Sequence, residues 1–255
     1  MTKTKKRFGQ HFLNNQSVSQ RIAETLNADE GTIIEIGPGE GVLTEELYKL
    51  YGKRLFLVEI DRDLIDNLNY RFPGLRKNII NADFLKIDLS QFKAPIHLIG
   101  NFPYNISSQI VFKAIENRTI VKQLVGMFQK EMAQRVTATH GNKSFGVITV
   151  FTQLFYKTDY LFEVPPEYFN PPPKVHSAII KLQRNDIDEI GVPYKRFRAV
   201  VKHVFSQRRK MLRNTLKAFI KGDMPVEPEF MTQRPEQLSI QELIDLVKWI
   251  DGYEA

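Results

Sequence analysis

Cysteine is missing from the sequence altogether, which excludes disulfides and thiolate metal sites alike. Its five histidines, His11, His97, His140, His176 and His203, are scattered without metal-ligand spacing, so no metal is expected. No apolar run reaches the ~18 residues that a bilayer span needs, so no membrane partner is expected. Residues 1–9 are basic, yet lack the apolar stretch of a signal peptide and the Arg/Ser-rich amphipathic pattern of a transit peptide. With no cysteine to oxidise, a cytoplasmic location is the expectation. Disorder and fibrous structure are set aside by a composition that is 42% hydrophobic and 25% charged.

What is present is a chain of 255 residues, enough for one large core and a small appendage. A formal net charge of +7 points toward a polyanionic partner without saying which.

Residues 17–28 have helical spacing at Val18, Ile22 and Leu26, with Ser17 as cap. Residues 32–50 then give an apolar run, a glycine-rich turn and an amphipathic helix. Further apolar runs lie at 54–61, 78–83, 96–101, 123–129, 144–156 and 177–183. Runs alternating with helices predict βαβ units and a parallel sheet covered on both faces. Ligands bind beyond the carboxyl ends of such strands, and Glu59, Asp83 and Asn101 close three of the runs. The expected division is an α/β domain over 1–184, a polar linker over 185–193 and a small helical domain over 194–255. In the last, Tyr194–Ile220 reads as helical and basic, and Ser239 caps a final amphipathic helix.

The turn Gly37-Pro38-Gly39-Glu40-Gly41 lets backbone pass close to a ligand. It departs from the dinucleotide fingerprint, because Val42 stands at the third glycine position. Pro38 lacks a donor and Glu40 adds negative charge, so a ligand without phosphate suits it better than a pyrophosphate. On its own such a turn is as often a plain strand-to-helix connection. Glu59, about twenty residues further on, can accept from both hydroxyls of a ribose. Asp83 can accept from an adenine amine, although a lone carboxylate at a strand end is more often a helix cap. Together they suggest an adenosyl ligand.

Asn101-Phe102-Pro103-Tyr104 follows the run at 96–101. The N6 lone pair of adenine is delocalised and weakly nucleophilic. The Asn101 side-chain oxygen and a nearby carbonyl, that of Phe102, can accept both N6 hydrogens and make the nitrogen more tetrahedral. Displacement at a sulfonium then needs chiefly positioning. Tyr104 offers a face for an extruded base, worth ~1–3 kcal/mol. Four such residues alone are commonly just a turn with a core aromatic; their place after the glycines and carboxylates favours chemistry.

With these motifs in order, the chain resembles the KsgA (RsmA) family of small-subunit ribosomal RNA adenine dimethyltransferases over nearly its whole length. The matching stretches are FGQHFL (Phe8–Leu13), EIGPGEG (Glu35–Gly41), VEID (Val58–Asp61), NADF (Asn81–Phe84), NFPYN (Asn101–Asn105), FNPPPKVHS (Phe169–Ser177) and FSQRRKMLRN (Phe205–Asn214). The resemblance implies a Rossmann-like class I methyltransferase sheet with a small C-terminal all-helical domain, and S-adenosyl-L-methionine as cofactor. It implies that His11 and Leu13 contact the cofactor beside Gly37, that Glu59 holds the ribose and Asp83 the adenine, and that Asn101 sits between donor and target amine. Tyr104 and Phe169 would sandwich the target base. The implied substrate is a pair of adjacent adenines in a hairpin loop near the 3′ end of 16S rRNA, each receiving two methyl groups, within the assembling small subunit; a monomer is expected. Phe102 stands where many members carry Leu, which leaves the backbone acceptor intact.

Residues 195–221 carry ten Lys and Arg, among them Arg208, Arg209, Lys210 and Arg213, without one acidic residue. A solvated face usually mixes both signs, so a helix presenting phosphate contacts to RNA is the reading. Lys3, Lys5, Lys6 and Arg7 would extend it. Three alternatives remain open: a large-subunit methyltransferase of the macrolide-resistance type, a DNA adenine methyltransferase (usually with two prolines before the aromatic), and a mainly non-catalytic ribosome-assembly factor.

Overall fold

The structure is a computed structural model and describes residues 11–216, 219 and 228–254. Lys3, Lys5, Lys6, Arg7, Lys217 and Lys221, and most of the polar stretch after Lys221, lie outside the described residues. Strand β1 (Phe12–Leu13) leads into helix α1 (Gln16–Glu24). The helix is capped by Asn15, whose side chain accepts from the Val18 N–H. Ser17, the expected cap, instead donates its hydroxyl to Asn15 at 2.7 Å, because the asparagine carboxamide already serves the exposed end of the helix.

Then follow β2 (Thr32–Ile36), α2 (Val42–Tyr51), β3 (Leu55–Glu59), α3 (Arg62–Arg71), β4 (Ile79–Asn81), β5 (Ile96–Asn101), α4 (Ser107–Glu116) and β6 (Val121–Gln129). After these come α5 (Lys130–Val136), α6 (Val147–Phe155), β7 (Tyr156–Val164), β8 (Phe169–Asn170) and β9 (Ser177–Arg184). The seven-stranded sheet has the order β4-β3-β2-β5-β6-β9-β7. Its first five strands pair in parallel, as the alternating pattern predicts. Strands β9 and β7 close the far side in antiparallel pairing. Every residue of β2 and all but the last of β5 are buried, as suits strands covered on both faces. The strand order reverses between β2 and β5, which opens a crevice beyond their carboxyl ends.

One apolar run differs from its reading. Within 144–156, residues Val147–Phe155 form a helix, not a strand. Seven of its nine residues are buried, so apolar side chains face all directions and no periodicity distinguishes helix from strand. Conversely β7, with polar residues along its middle, shows no strand pattern; it is an edge strand buried only at Tyr156 and Val164.

The chain divides into two compact units. The first holds residues 1–134 and 156–184 and contains the whole sheet. The second holds 135–155 and 185–255, so it takes in α6 as well as the segment after Arg184. Its further helices are α7 (Tyr194–Ser206), α8 (Leu212–Thr215) and α9 (Ile240–Glu254). Its interior is built from Phe151, Phe155, Phe197, Val201, Leu246 and Ile250, all buried, with Phe151 edge-on to Phe197 at 6.3 Å. Ser239 caps α9 as expected: its hydroxyl accepts from Glu242 N–H, and the Glu242 carboxylate accepts from Ser239 N–H at 2.7 Å.

The basic segment is not one helix. Helix α7 ends at Ser206 and α8 begins at Leu212. Between Phe205 and Leu212 only Met211 is apolar and it is exposed, so no buried stripe holds another helical turn against the unit.

Candidate active site

Four loops beyond the parallel strands converge on one cleft. With its open mouth included it takes in about 970 Å³ of space. Gly37 and Gly39 follow β2, Glu59 ends β3, Asp83 follows β4, and Asn101 ends β5 with Phe102, Pro103 and Tyr104 beyond it; all line the cleft. His11 and Phe12 complete one wall.

The glycine turn is shaped by approach as well as by torsion. Gly39 has φ of +58°, and a Cβ there would stand 2.9 Å from the Phe12 ring. Gly37, at φ +67°, donates its N–H to the Val58 carbonyl at 2.9 Å. A Cβ on Gly37 would meet nothing nearer than Pro103 at 3.9 Å, so the space above this backbone is open to a ligand.

Glu59 is buried and accepts from the N–H groups of Asp61 at 2.9 Å and Gly39 at 3.3 Å. Burial pushes its pKa up, and those backbone bonds oppose the shift. Next door in β2, Glu35 is fully buried and takes the Thr44 hydroxyl at 2.6 Å. Burial, opposed by that bond and reinforced by Glu59, pushes Glu35 up to about 8. Asp83 has a structural role and also faces the cleft. One carboxylate oxygen accepts from Leu85 N–H at 3.0 Å and caps the following turn, while the residue lines the cleft. Lys113 on α4 steadies this turn by donating to the carbonyls of Leu85 and Ile87.

At Asn101 the amide orientation is fixed: Nδ2 donates to the His11 carbonyl at 2.8 Å, which leaves Oδ1 as an acceptor. The Pro103 carbonyl is taken by Ile106 N–H at 3.1 Å; no donor among the described residues is found on that of Phe102. The Phe102 side chain is buried edge-on to Phe128 at 5.2 Å, so its contribution to the cleft is backbone. Tyr104 is half-buried, bonded through its hydroxyl to Ser177 Oγ at 2.7 Å and stacked on the His11 imidazole at 5.7 Å and 27°. Burial pushes the Tyr104 phenol up, so it keeps its proton.

Leu13 and Phe169 are not brought to the cleft. They pair across the β1–β8 ribbon and belong to the buried core of the first unit. Side chains alternate along a strand and directly opposed residues share a face, so Phe12 facing the cleft sends Leu13, and Phe169 with it, to the other side. Sequence reasoning missed Phe12, Ile60, Phe84 and Leu85 as lining residues. Ile60 carried a signal in being apolar just after a strand-ending acid; it is 46% exposed at the cleft.

Among the basic residues of the second unit, Arg209, Lys210 and Arg213 are exposed. Arg208 is half-buried, donates to the Lys143 carbonyl at 2.8 Å and lies 3.9 Å from Glu236. Its bonds reach segments distant in the chain, whereas the Lys210 ammonium donates to nearby Gln207 Oε1, at 3.1 Å.

A parallel-centred sheet with glycine turn, acidic strand end and asparagine motif along one crevice defines a Rossmann-like class I methyltransferase. The profile of the ribosomal RNA adenine dimethylases matches residues 1–251, and the chain belongs to that family. It is 45% identical to the ribosomal RNA small subunit methyltransferase A of Bacteroides thetaiotaomicron, over 98% of this chain and 95% of the relative. It is 46% identical to that of Parabacteroides distasonis, over 96% and 93%. Among solved structures, a dimethyladenosine transferase from Plasmodium falciparum superposes with a TM-score of 0.79 at 26% identity, covering 96% of this chain and 98% of the other. The 23S rRNA methyltransferase ErmE superposes with 0.66 at 28%, covering 93% and 99%.

Proposed function

We propose that this protein transfers methyl groups from S-adenosylmethionine to N6 of two adjacent adenines in a hairpin loop near the 3′ end of 16S rRNA, two to each. It does so in the cytoplasm, as a monomer acting on the assembling small subunit. The small-subunit substrate rests on relatives that carry that function in their names at 45% and 46% identity, against 28% for the large-subunit enzyme. The single observation that carries the chemistry is the amide of Asn101, held by the His11 carbonyl with its oxygen left to accept.

The residues fit the cofactor. Glu59 would hold the ribose hydroxyls, Asp83 the adenine amine, and the open backbone at Gly37 the amino-acid end, while the apolar Ile60 and Phe84 cover the base. Bound there, S-adenosylmethionine supplies an electrophilic methyl on a sulfonium. In the first transfer Asn101 Oδ1 and the Phe102 carbonyl accept the two N6 hydrogens and turn the nitrogen lone pair toward the cleft, and in the second they hold the one hydrogen that remains. After each N–C bond forms and C–S bond breaks, the extra N6 proton passes to solvent. Tyr104 provides the aromatic face, and Pro103 keeps the turn stiff. An adenine in a hairpin loop is already partly unstacked, which lowers the cost of extruding it.

Sites of adenine dimethylation in ribosomal RNA from a strain lacking the gene test the substrate. Loss confined to adjacent adenines of the small-subunit RNA is expected. Loss in large-subunit RNA, or no loss, would overturn it.

A further inference from the structure

Tyr104 lies in the turn between β5 and α4, where a side chain is free to swing unless something holds it. One restraint is local, its carbonyl accepting the Ser107 hydroxyl at 3.1 Å; a second is His11, from near the start of the chain, which covers one face of the ring. The third comes from far along the chain. The Tyr104 hydroxyl meets Ser177 Oγ at 2.7 Å, across 73 residues of sequence. Ser177 is fully buried and opens β9, opposite Gln129 of β6 and Val164 of β7. Strands on both sides therefore fix its position. We propose that Ser177 is a positioning residue for methyl transfer: it pins the Tyr104 hydroxyl to the sheet so that the ring stands as a fixed wall for the target base. The proposal rests on the reading of Tyr104 as that wall. It gives a physical reason for a tyrosine at position 104, since phenylalanine would stack equally well but could not be anchored. It also gives the final serine of FNPPPKVHS a task.

Ser177→Ala and Tyr104→Phe remove the same bond from its two ends. With small subunits lacking the modification, each variant is expected to lower the single-turnover rate about fivefold, the worth of one hydrogen bond. The double variant is expected to fall no further than either single one, and cofactor affinity to stay at the wild-type level. With 2-aminopurine at the target position of an RNA hairpin, both variants are expected to quench its fluorescence less than wild type. Should Ser177→Ala fail to fold, Tyr104→Phe decides alone. Wild-type rates and quenching in the variants, with Tyr104→Ala inactive, would overturn the anchor and leave the stacking wall standing. Full activity in Tyr104→Ala would remove the wall and the anchor together.

Discussion

At the scale of single residues, function turns on polar groups whose partners are already assigned before any ligand arrives. Asn101 gives one Nδ2 hydrogen to the His11 carbonyl, which fixes the amide's rotation and leaves Oδ1 as the acceptor for an amine that is itself a donor. Asn101→Ala is expected to lower the single-turnover rate by about two to three orders of magnitude, as losing one oriented group does at other polar sites. It should cost only ~1 kcal/mol of stability, since one hydrogen bond is lost at a half-buried position; a melting curve and a rate measurement check both. Glu59 makes a second case. Its carboxyl is held above the ordinary 4.5 by burial, and the ribose contact proposed for it needs it ionised to accept from both hydroxyls. Cofactor affinity should therefore begin to fall, as pH drops, before an ordinary carboxylate protonates. Calorimetric titration across mildly acidic pH measures this, and Glu59→Gln should bind weakly at every pH with a flatter profile. These residues were legible in the sequence because each closes or follows an apolar run. Leu13 and Phe169 were misplaced because their facing is set by a two-residue ribbon between distant segments, which no local pattern records.

At the scale of elements, the glycine turn and the basic segment carry the tests. Gly39→Ala adds a methyl 2.9 Å from Phe12 at a left-handed backbone position. The torsion alone costs roughly 1–2 kcal/mol, and the displaced Phe12 should weaken cofactor binding besides; denaturant unfolding and a binding titration read the two effects separately. In the basic segment, charge reversal of Arg209, Lys210 and Arg213 should weaken RNA binding and flatten its salt dependence. The log-log slope should shrink by roughly 0.7–1 for each phosphate no longer neutralised, with cofactor affinity unchanged. Arg208 is set apart, because reversing it would place a carboxylate against the Lys143 carbonyl and near Glu236 and so perturb the fold. The parallel strands were readable as short apolar runs bounded by turns. Helix α6 and strand β7 were not: one is apolar on all sides and the other polar along its middle, so each lacks the contrast that marks its period.

At the scale of the molecule, a fully buried acid in the central sheet should leave a signature in stability. The folded chain keeps Glu35 protonated up to about 8, whereas the unfolded chain ionises it near 4.5. The stabilisation from Glu35 is therefore complete below the lower value and lost progressively as pH rises toward the higher one. Denaturant midpoints measured across that window should fall with rising pH, and Glu35→Gln should reduce the slope. The junction after Arg184 has a mark in the sequence, the polar, acidic stretch 185–193 followed by a basic segment. That Arg135–Phe155 groups with the later segment was not legible, since a compact unit built from two stretches of chain leaves no mark where the earlier stretch begins or ends.

The most direct test is a methyl-transfer time course with excess radiolabelled S-adenosylmethionine and small subunits lacking the modification, comparing the wild-type chain with Asn101→Ala and identifying the product nucleoside. An oriented Asn101 amide predicts N6,N6-dimethyladenosine from the wild type and almost none from the variant, with equal binding of cofactor and particle by both. Equal rates for the two proteins, or tight particle binding without methyl incorporation by the wild type, would contradict it.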